Sequence, residues 1–185
     1  MPVSTSDALD RLSAWDAPSA LVELREDYVR FLRDRGAAGL DRGGGPEHLT
    51  ASCFIFTPDL AHVLLCFHRK GQFWVQTGGH IDSADANLAM AALREAREES
   101  GLNGLTVVDD VLDLDRHDLN AAFGHCRTHW DVGFVALSPL LSPQVSDESE
   151  QVAWFLVNAL PAQMANSVTA RITVMLRQRP AHPSR

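Results

Sequence analysis

The chain has 185 residues, is 45% hydrophobic and carries a formal net charge of −8. That length and apolar content suit one domain with extensions and a real core. The acidic balance argues against a nucleic-acid polymer or a membrane surface as the main partner. No apolar run is long enough to span a bilayer. Residues 1–7 lack the basic start and apolar centre of a secretory signal. Cys53, Cys66 and Cys126 form no Cys-x-x-Cys pair, which fits a reducing cytoplasm, and each is expected as a small buried hydrophobe.

Residues 5–36 read as two helices. The first is short, with Leu9, Leu12 and Trp15 on one face. Pro18 suits a helix start, and Leu21, Leu24, Tyr28, Phe31 and Leu32 then recur at helical spacing up to Gly36. The glycine-rich stretch 39–45 lacks the Gly-Lys-Ser/Thr ending of a phosphate-binding loop and precedes a strand, so it is a plain loop. Residues 48–56, 62–68 and 73–76 are strand-like, with a turn at Pro58-Asp59 and a break at Arg69-Lys70-Gly71. The third strand runs into Gly78-Gly79-His80.

An alanine-rich run follows. Positions 86–99 hold strong helix formers and no Gly or Pro. Asp85 or Ser83 is the expected N-cap, and Gly101 the C-terminal stop. Glu95, Glu98 and Glu99 crowd one side at i,i+3 and i,i+4 spacing. Like charges there repel, and they sit at the negative end of the helix dipole. An arrangement that destabilises its own helix is a candidate site. Clustered carboxylate oxygens are what Mg²⁺ or Mn²⁺ requires. An ordinary charged face is the competing reading.

Beyond Gly101, residues 105–114 read as a strand, 115–127 as polar and irregular, and 129–137 as a better strand. His117, His125 and His129 raise the idea of a zinc site, which their spacing does little to support. Residues 138–149 form a loop ending in Asp147-Glu148-Ser149-Glu150. A strand at 152–157 follows, then a last helix from Leu160 to about Arg179 with a packing stripe of Met164, Val168, Ile172, Met175 and Leu176. Phe73, Trp74, Phe123 and Trp130 are core residues or platforms for a base.

The stretch 79–102 resembles the Nudix box, G-x5-E-x7-R-E-U-x-E-E-x-G-U, where U is a bulky apolar residue. Gly79 supplies the first glycine, and Arg94-Glu95-Ala96-Arg97-Glu98-Glu99-Ser100-Gly101-Leu102 the whole second half. It departs from the pattern at three places. Asp85 stands for the first Glu, eight residues rather than seven separate it from Arg94, and Ala96 is small for a U position. The resemblance spans roughly residues 48–160. It implies an α/β fold with a mixed sheet, a Nudix-type α/β/α sandwich with an added N-terminal helical segment. The expected division is 1–46 as that extension, packing on the domain or on a second subunit, 47–179 as the domain, and 180–185 as a tail.

The same resemblance implies hydrolysis of the diphosphate linkage of a nucleoside diphosphate derivative or related organic pyrophosphate, with Mg²⁺ or Mn²⁺; the cysteines place the chain in the cytoplasm, and a homodimer is an assembly left open. Glu95 and Glu99 are then the main metal ligands, joined or supported by Glu98, with the Gly79 carbonyl completing the shell. Arg94 orients a glutamate. Glu98 or Glu148 deprotonates the attacking water, Glu150 being the reserve for the late-loop glutamate. Asp131 and His129 are expected beside the catalytic helix. Arg69 and Lys70 are placed to meet phosphate oxygens or to end a solvated hairpin, and His80 to contact substrate or make a structural hydrogen bond. The alternative is a non-catalytic module that senses a nucleotide or metabolite. An isomerase on the same fold has no clear signature here.

Overall fold

The computed structural model describes residues 2–119, 124–147 and 149–178. Two helices lead, Thr5–Ala14 (α1) and Val22–Arg35 (α2). A reciprocal cap between Ser4 and Asp7 opens α1 and satisfies N–H groups that a helix start leaves orphaned. Ala8, Leu12, Tyr28 and Leu32 are buried in one core with sheet residues such as Leu49 and Trp130. The Trp130 ring stacks on Phe31 at 4.5 Å and meets Tyr28 edge-on at 5.0 Å. Tyr28 also donates its hydroxyl to the Asp131 carbonyl at 2.9 Å. The two leading helices are thus built into the main core.

Seven strands form one mixed sheet: Glu47–Phe56 (β1), His62–His68 (β2), Phe73–Val75 (β3), Thr77–His80 (β4), Thr106–Asp118 (β5), Thr128–Leu137 (β6) and Ser149–Leu156 (β7). The path runs β3-β2-β1-β6-β5, with β4 paired to β1 and β7 to β2. β1 and β6 are parallel in register over their full length, with His48 opposite His129 and Thr50 opposite Asp131. β1 pairs with β2 at Ile55 and Phe56, and with β4 from Thr50 to Cys53. β3 and β4 therefore fill the gap where β1 and β2 part.

The sheet is covered on both faces, as the sequence led us to expect. Alternation along β1 sends Leu49, Ala51 and Cys53 toward helix Leu88–Ser100 (α3), where Ala89, Ala92 and Ala96 allow a close approach. Phe54 and Phe56 point the other way, onto Val168, Ile172 and Met175 of helix Val168–Gln178 (α4). Burying each large side chain of these layers stabilises by about 1.5–3 kcal/mol. Among the described residues, no helix is long and apolar enough to cross a membrane.

Among the boundaries that differ from the sequence reading, three bear on the site and the sheet. α3 begins at Leu88, capped by Asn87, whose side chain accepts from Met90 N at 2.9 Å. Asp85 is occupied elsewhere, as described below. Residues 115–118 are not irregular but continue β5, because their ladder with Thr128–Asp131 of β6 supplies the backbone hydrogen bonds. The last helix starts at Val168 rather than Leu160. Residues 163–165 pair instead with β3, Trp74 N donating to Gln163 O at 2.7 Å and Ala165 N to Trp74 O at 2.9 Å.

Candidate functional site

β4 delivers Gly78 and Gly79 against the C-terminal half of α3, and α3 turns its carboxylates toward them. Glu99 is buried and accepts from Gly78 N at 2.8 Å. Glu95 lies directly over Gly79: a Cβ at position 79 would come within 2.6 Å of the Glu95 carboxyl carbon. A side chain at position 79 would push the Glu95 carboxylate aside. Glu98 is on the open side of the helix, its side chain 59% exposed. Gly101 closes α3 in the left-handed conformation at φ 69°, which glycine adopts without steric penalty.

Arg94 holds this group together. Its guanidinium donates to both oxygens of Asp85, at 3.0 and 2.9 Å, to Glu95 at 2.8 Å, to Glu98 at 3.3 Å and to the His80 carbonyl at 2.9 Å. These anions, Asp85 foremost, raise the Arg94 pKa well above its ordinary value despite partial burial. The fork-to-fork pairing gives the charge-assisted bonds a fixed plane. Asp85 is itself buried and accepts from Asp82 N at 2.8 Å, while its carbonyl accepts from Val3 N at 2.7 Å. The shorter Asp side chain and the extra residue before Arg94 thus end in a complete clasp, the loop at 81–87 absorbing the difference.

A family model for the NUDIX domain matches residues 46–175. The chain belongs to this family. Solved structures share its fold at low identity. A NUDIX-family hydrolase from Clostridium perfringens is 22% identical over 69% of this chain and 97% of its own, with a TM-score of 0.56. The Escherichia coli dihydroneopterin triphosphate pyrophosphohydrolase is 18% identical over 70% of this chain and 95% of its own, at 0.60. The NUDIX domain of Shewanella oneidensis NrtR, solved with ADP ribose, is 19% identical over 77% of this chain and 95% of its own, at 0.57. Comparison with curated protein sequences gives no match.

Within the NUDIX domain, the structure gathers Gly79, Glu95, Glu98 and Glu99 at one end of α3. Arg69 and Lys70 are exposed on the turn between β2 and β3, and Arg69 donates to the Ser149 carbonyl at 3.1 Å. Glu150 is exposed and accepts from Gln72 at 2.9 Å. Glu148 and Phe123 lie outside the described residues. Trp130 is core, and Trp74 packs edge-on against Phe67 and Phe155. Cys53 and Cys66 are buried free thiols, Cys53 pushed up by burial to about 12, which leaves them unreactive. An open depression of about 690 Å³, lined by Asp7, Arg11, Trp15, Asn87 and Asp110, lies at the other end of α3.

The opposite face of the same strands holds polar groups that sequence reasoning missed. Arg171 of α4 is buried and donates to Asp113 and, at 2.7 Å, to Asp131. Burial works against its charge, but Asp131, Asp113 and Asp115 outweigh it and raise the Arg171 pKa. Asp131 also accepts from Thr50 at 2.9 Å and from Ser52. It faces α4, not α3, because it stands in register with Thr50 on the even-numbered face of β1. The signal for Arg171 was a lone cation inside an apolar stripe, three residues after Val168 and four before Met175.

His80 and His129 also belong to this face. Their rings lie 5.3 Å apart, and each is about 5 Å from the ring of His48. Burial depresses His80 to about 4 and His129 to about 3, so both imidazoles are neutral. His125 is exposed and His117 bonds Asp115 at 2.9 Å, so the histidine triplet suggested by the sequence does not assemble.

Proposed function

We propose that this chain is a NUDIX pyrophosphohydrolase, cleaving the phosphoanhydride bond of a nucleoside diphosphate derivative or related organic pyrophosphate. The single observation that carries the reading is the placement of Glu99 on Gly78 and Glu95 on Gly79, with Arg94 bridging Glu95 to Glu98 on the same helix end. The donor set fits a hard cation: carboxylate oxygens with a backbone carbonyl alongside. Mg²⁺ or Mn²⁺ would be held by Glu95, Glu98, Glu99 and the Gly79 carbonyl. When bound, it neutralises the substrate's charge and makes a water molecule more acidic.

The chain's own residues supply position and proton transfer. Arg94 fixes the plane of Glu95 and restrains Glu98. The Gly78 N–H fixes Glu99. Glu98, on the open side, or Glu148 accepts the proton of the attacking water. Arg69 and Lys70 meet the outer phosphate oxygens. The likeness to the dihydroneopterin triphosphate pyrophosphohydrolase supports this class of bond. The ADP ribose in the NrtR NUDIX domain supports a nucleotide-derived ligand and keeps a sensing role in view. A panel of dinucleotides, nucleotide sugars and nucleoside triphosphates, with Mg²⁺ and with Mn²⁺, tests the reading. Release of a monophosphate or pyrophosphate is expected. Tight binding of one ligand without product from any would replace the enzyme by a sensor.

A further inference from the structure

We propose that His48, His80, Cys126 and His129 form a second metal centre, built for Zn²⁺ or a like borderline transition cation and separate from the glutamates. Their ligating atoms all lie within 4.8 Å of one another. Three come from neighbouring strands of the central sheet. His48 of β1 stands directly opposite His129 of β6, and His80 of β4 pairs with Thr50, two residues along from His48 on the same face. Their rings form a triangle with sides of 5.0, 5.1 and 5.3 Å. Cys126, just before β6, closes the fourth side, its Sγ 3.9 Å from His48 Nε2.

The environment is that of a ligand set rather than of a packed core. His48 is fully buried and Cys126 nearly so. Nε2 of His80 and Nε2 of His129 are both buried without a hydrogen-bond partner. Each such orphaned polar atom destabilises the fold by about 1–3 kcal/mol unless something meets it. A cation meets both at once. The imidazole rings offer nitrogen donors, and the Cys126 thiol is free of any disulfide. Nitrogen and sulfur donors favour zinc and its neighbours over Mg²⁺ or Mn²⁺. Tetrahedral zinc with bonds of about 2.0–2.3 Å needs donor spacings of roughly 3.3–3.8 Å, a modest contraction of this cluster. Three strand-borne ligands make the site rigid.

The centre also touches the other one. His80 would bind the cation through its ring, while its carbonyl accepts from Arg94. Occupancy therefore pins the end of β4 that presents Gly79 to Glu95. The proposal does not depend on the hydrolase reading, since the donors, the face of the sheet and the metal class all differ.

The test uses the full chain, stripped of metal and titrated with Co²⁺ in excess Mg²⁺. The expected result is one equivalent bound, with the visible bands of tetrahedral cobalt and a near-ultraviolet thiolate-to-cobalt band, displaced by Zn²⁺. Cys126→Ser should remove the thiolate band. His129→Gln should weaken Zn²⁺ binding by about 100-fold or more, at least the upper range for losing a mere outer-shell partner. Glu99→Gln should leave the cobalt spectrum and stoichiometry intact. Absence of tetrahedral bands in the unmodified chain would overturn the proposal, as would bands that vanish in Glu99→Gln and persist in Cys126→Ser.

Discussion

Gly79 and His80 are neighbours on β4, yet they serve opposite faces of the sheet. On the α3 face, carboxylates at the end of one helix meet a glycine pair, with Arg94 between them and Glu98 open to solvent. On the α4 face, Asp113, Asp131 and Arg171 are buried among strands and a second helix, and His48 is buried beside the half-buried His80 and His129. At the first site Glu98 stands open to water, which suits a group that must exchange ligands. At the second, Arg171 is enclosed with the carboxylates it bonds, which suits a fixed structural part. The two faces should therefore respond differently to mutation: activity on one, folding on the other.

The largest effect is expected on the α4 face. Arg171→Met removes the cation from two buried carboxylates, and breaking a buried pair in this way destabilises by about 3–5 kcal/mol. At roughly 2–4 °C per kcal/mol, the thermal midpoint should fall by on the order of 10 °C. Adding Asp131→Asn to that variant should restore part of the loss, because one buried charge is then gone. A midpoint within a degree of the unmodified chain would mean that the network adds nothing to stability.

On the α3 face, Glu99→Gln should reduce metal-dependent turnover by more than about 100-fold, beyond what the loss of an outer-shell partner brings. Its amide oxygen still accepts from Gly78 N–H, so the melting temperature should hold. Full turnover in this variant would remove Glu99 from the site. Gly79→Ala should cost less, about 10- to 100-fold, because it displaces Glu95 rather than deleting it. Mn²⁺ affinity measured alongside should fall with the rate; an unchanged affinity would separate Gly79 from metal binding.

This contrast also explains what the sequence could reveal. Arg94 to Gly101 were legible because helical periodicity brings residues three and four apart onto one side. The sandwich was legible through the Nudix resemblance that these residues carry, and its strands through apolar segments of strand length. The clasp by Asp85 was not, since the path of the loop at 81–87 has no period to read, and Asn87 rather than Asp85 or Ser83 proved to be the cap. The His48, His80, Cys126 and His129 cluster is assembled by strand register across three separate stretches, and a one-residue slip would dissolve it. The chain order suggested His129 with His117 and His125, and of these only His129 shares the cluster.

The smallest effect tests where the α3 site ends. Lys70 is exposed on the turn after β2, and the neighbouring Arg69 is tied to the Ser149 carbonyl. An exposed cation meeting a phosphate through water-rich surroundings is worth little, as exposed ion pairs are. Lys70→Ala should therefore raise KM roughly two- to fivefold with kcat unchanged. The shift should shrink in high salt, where screening acts over about 10 Å or less. Arg69→Ala should add a structural component, since it also frees the backbone beside β7. A KM that Lys70→Ala leaves unmoved at low salt would place the turn outside the substrate's reach. It would then leave specificity to the loops nearer α3.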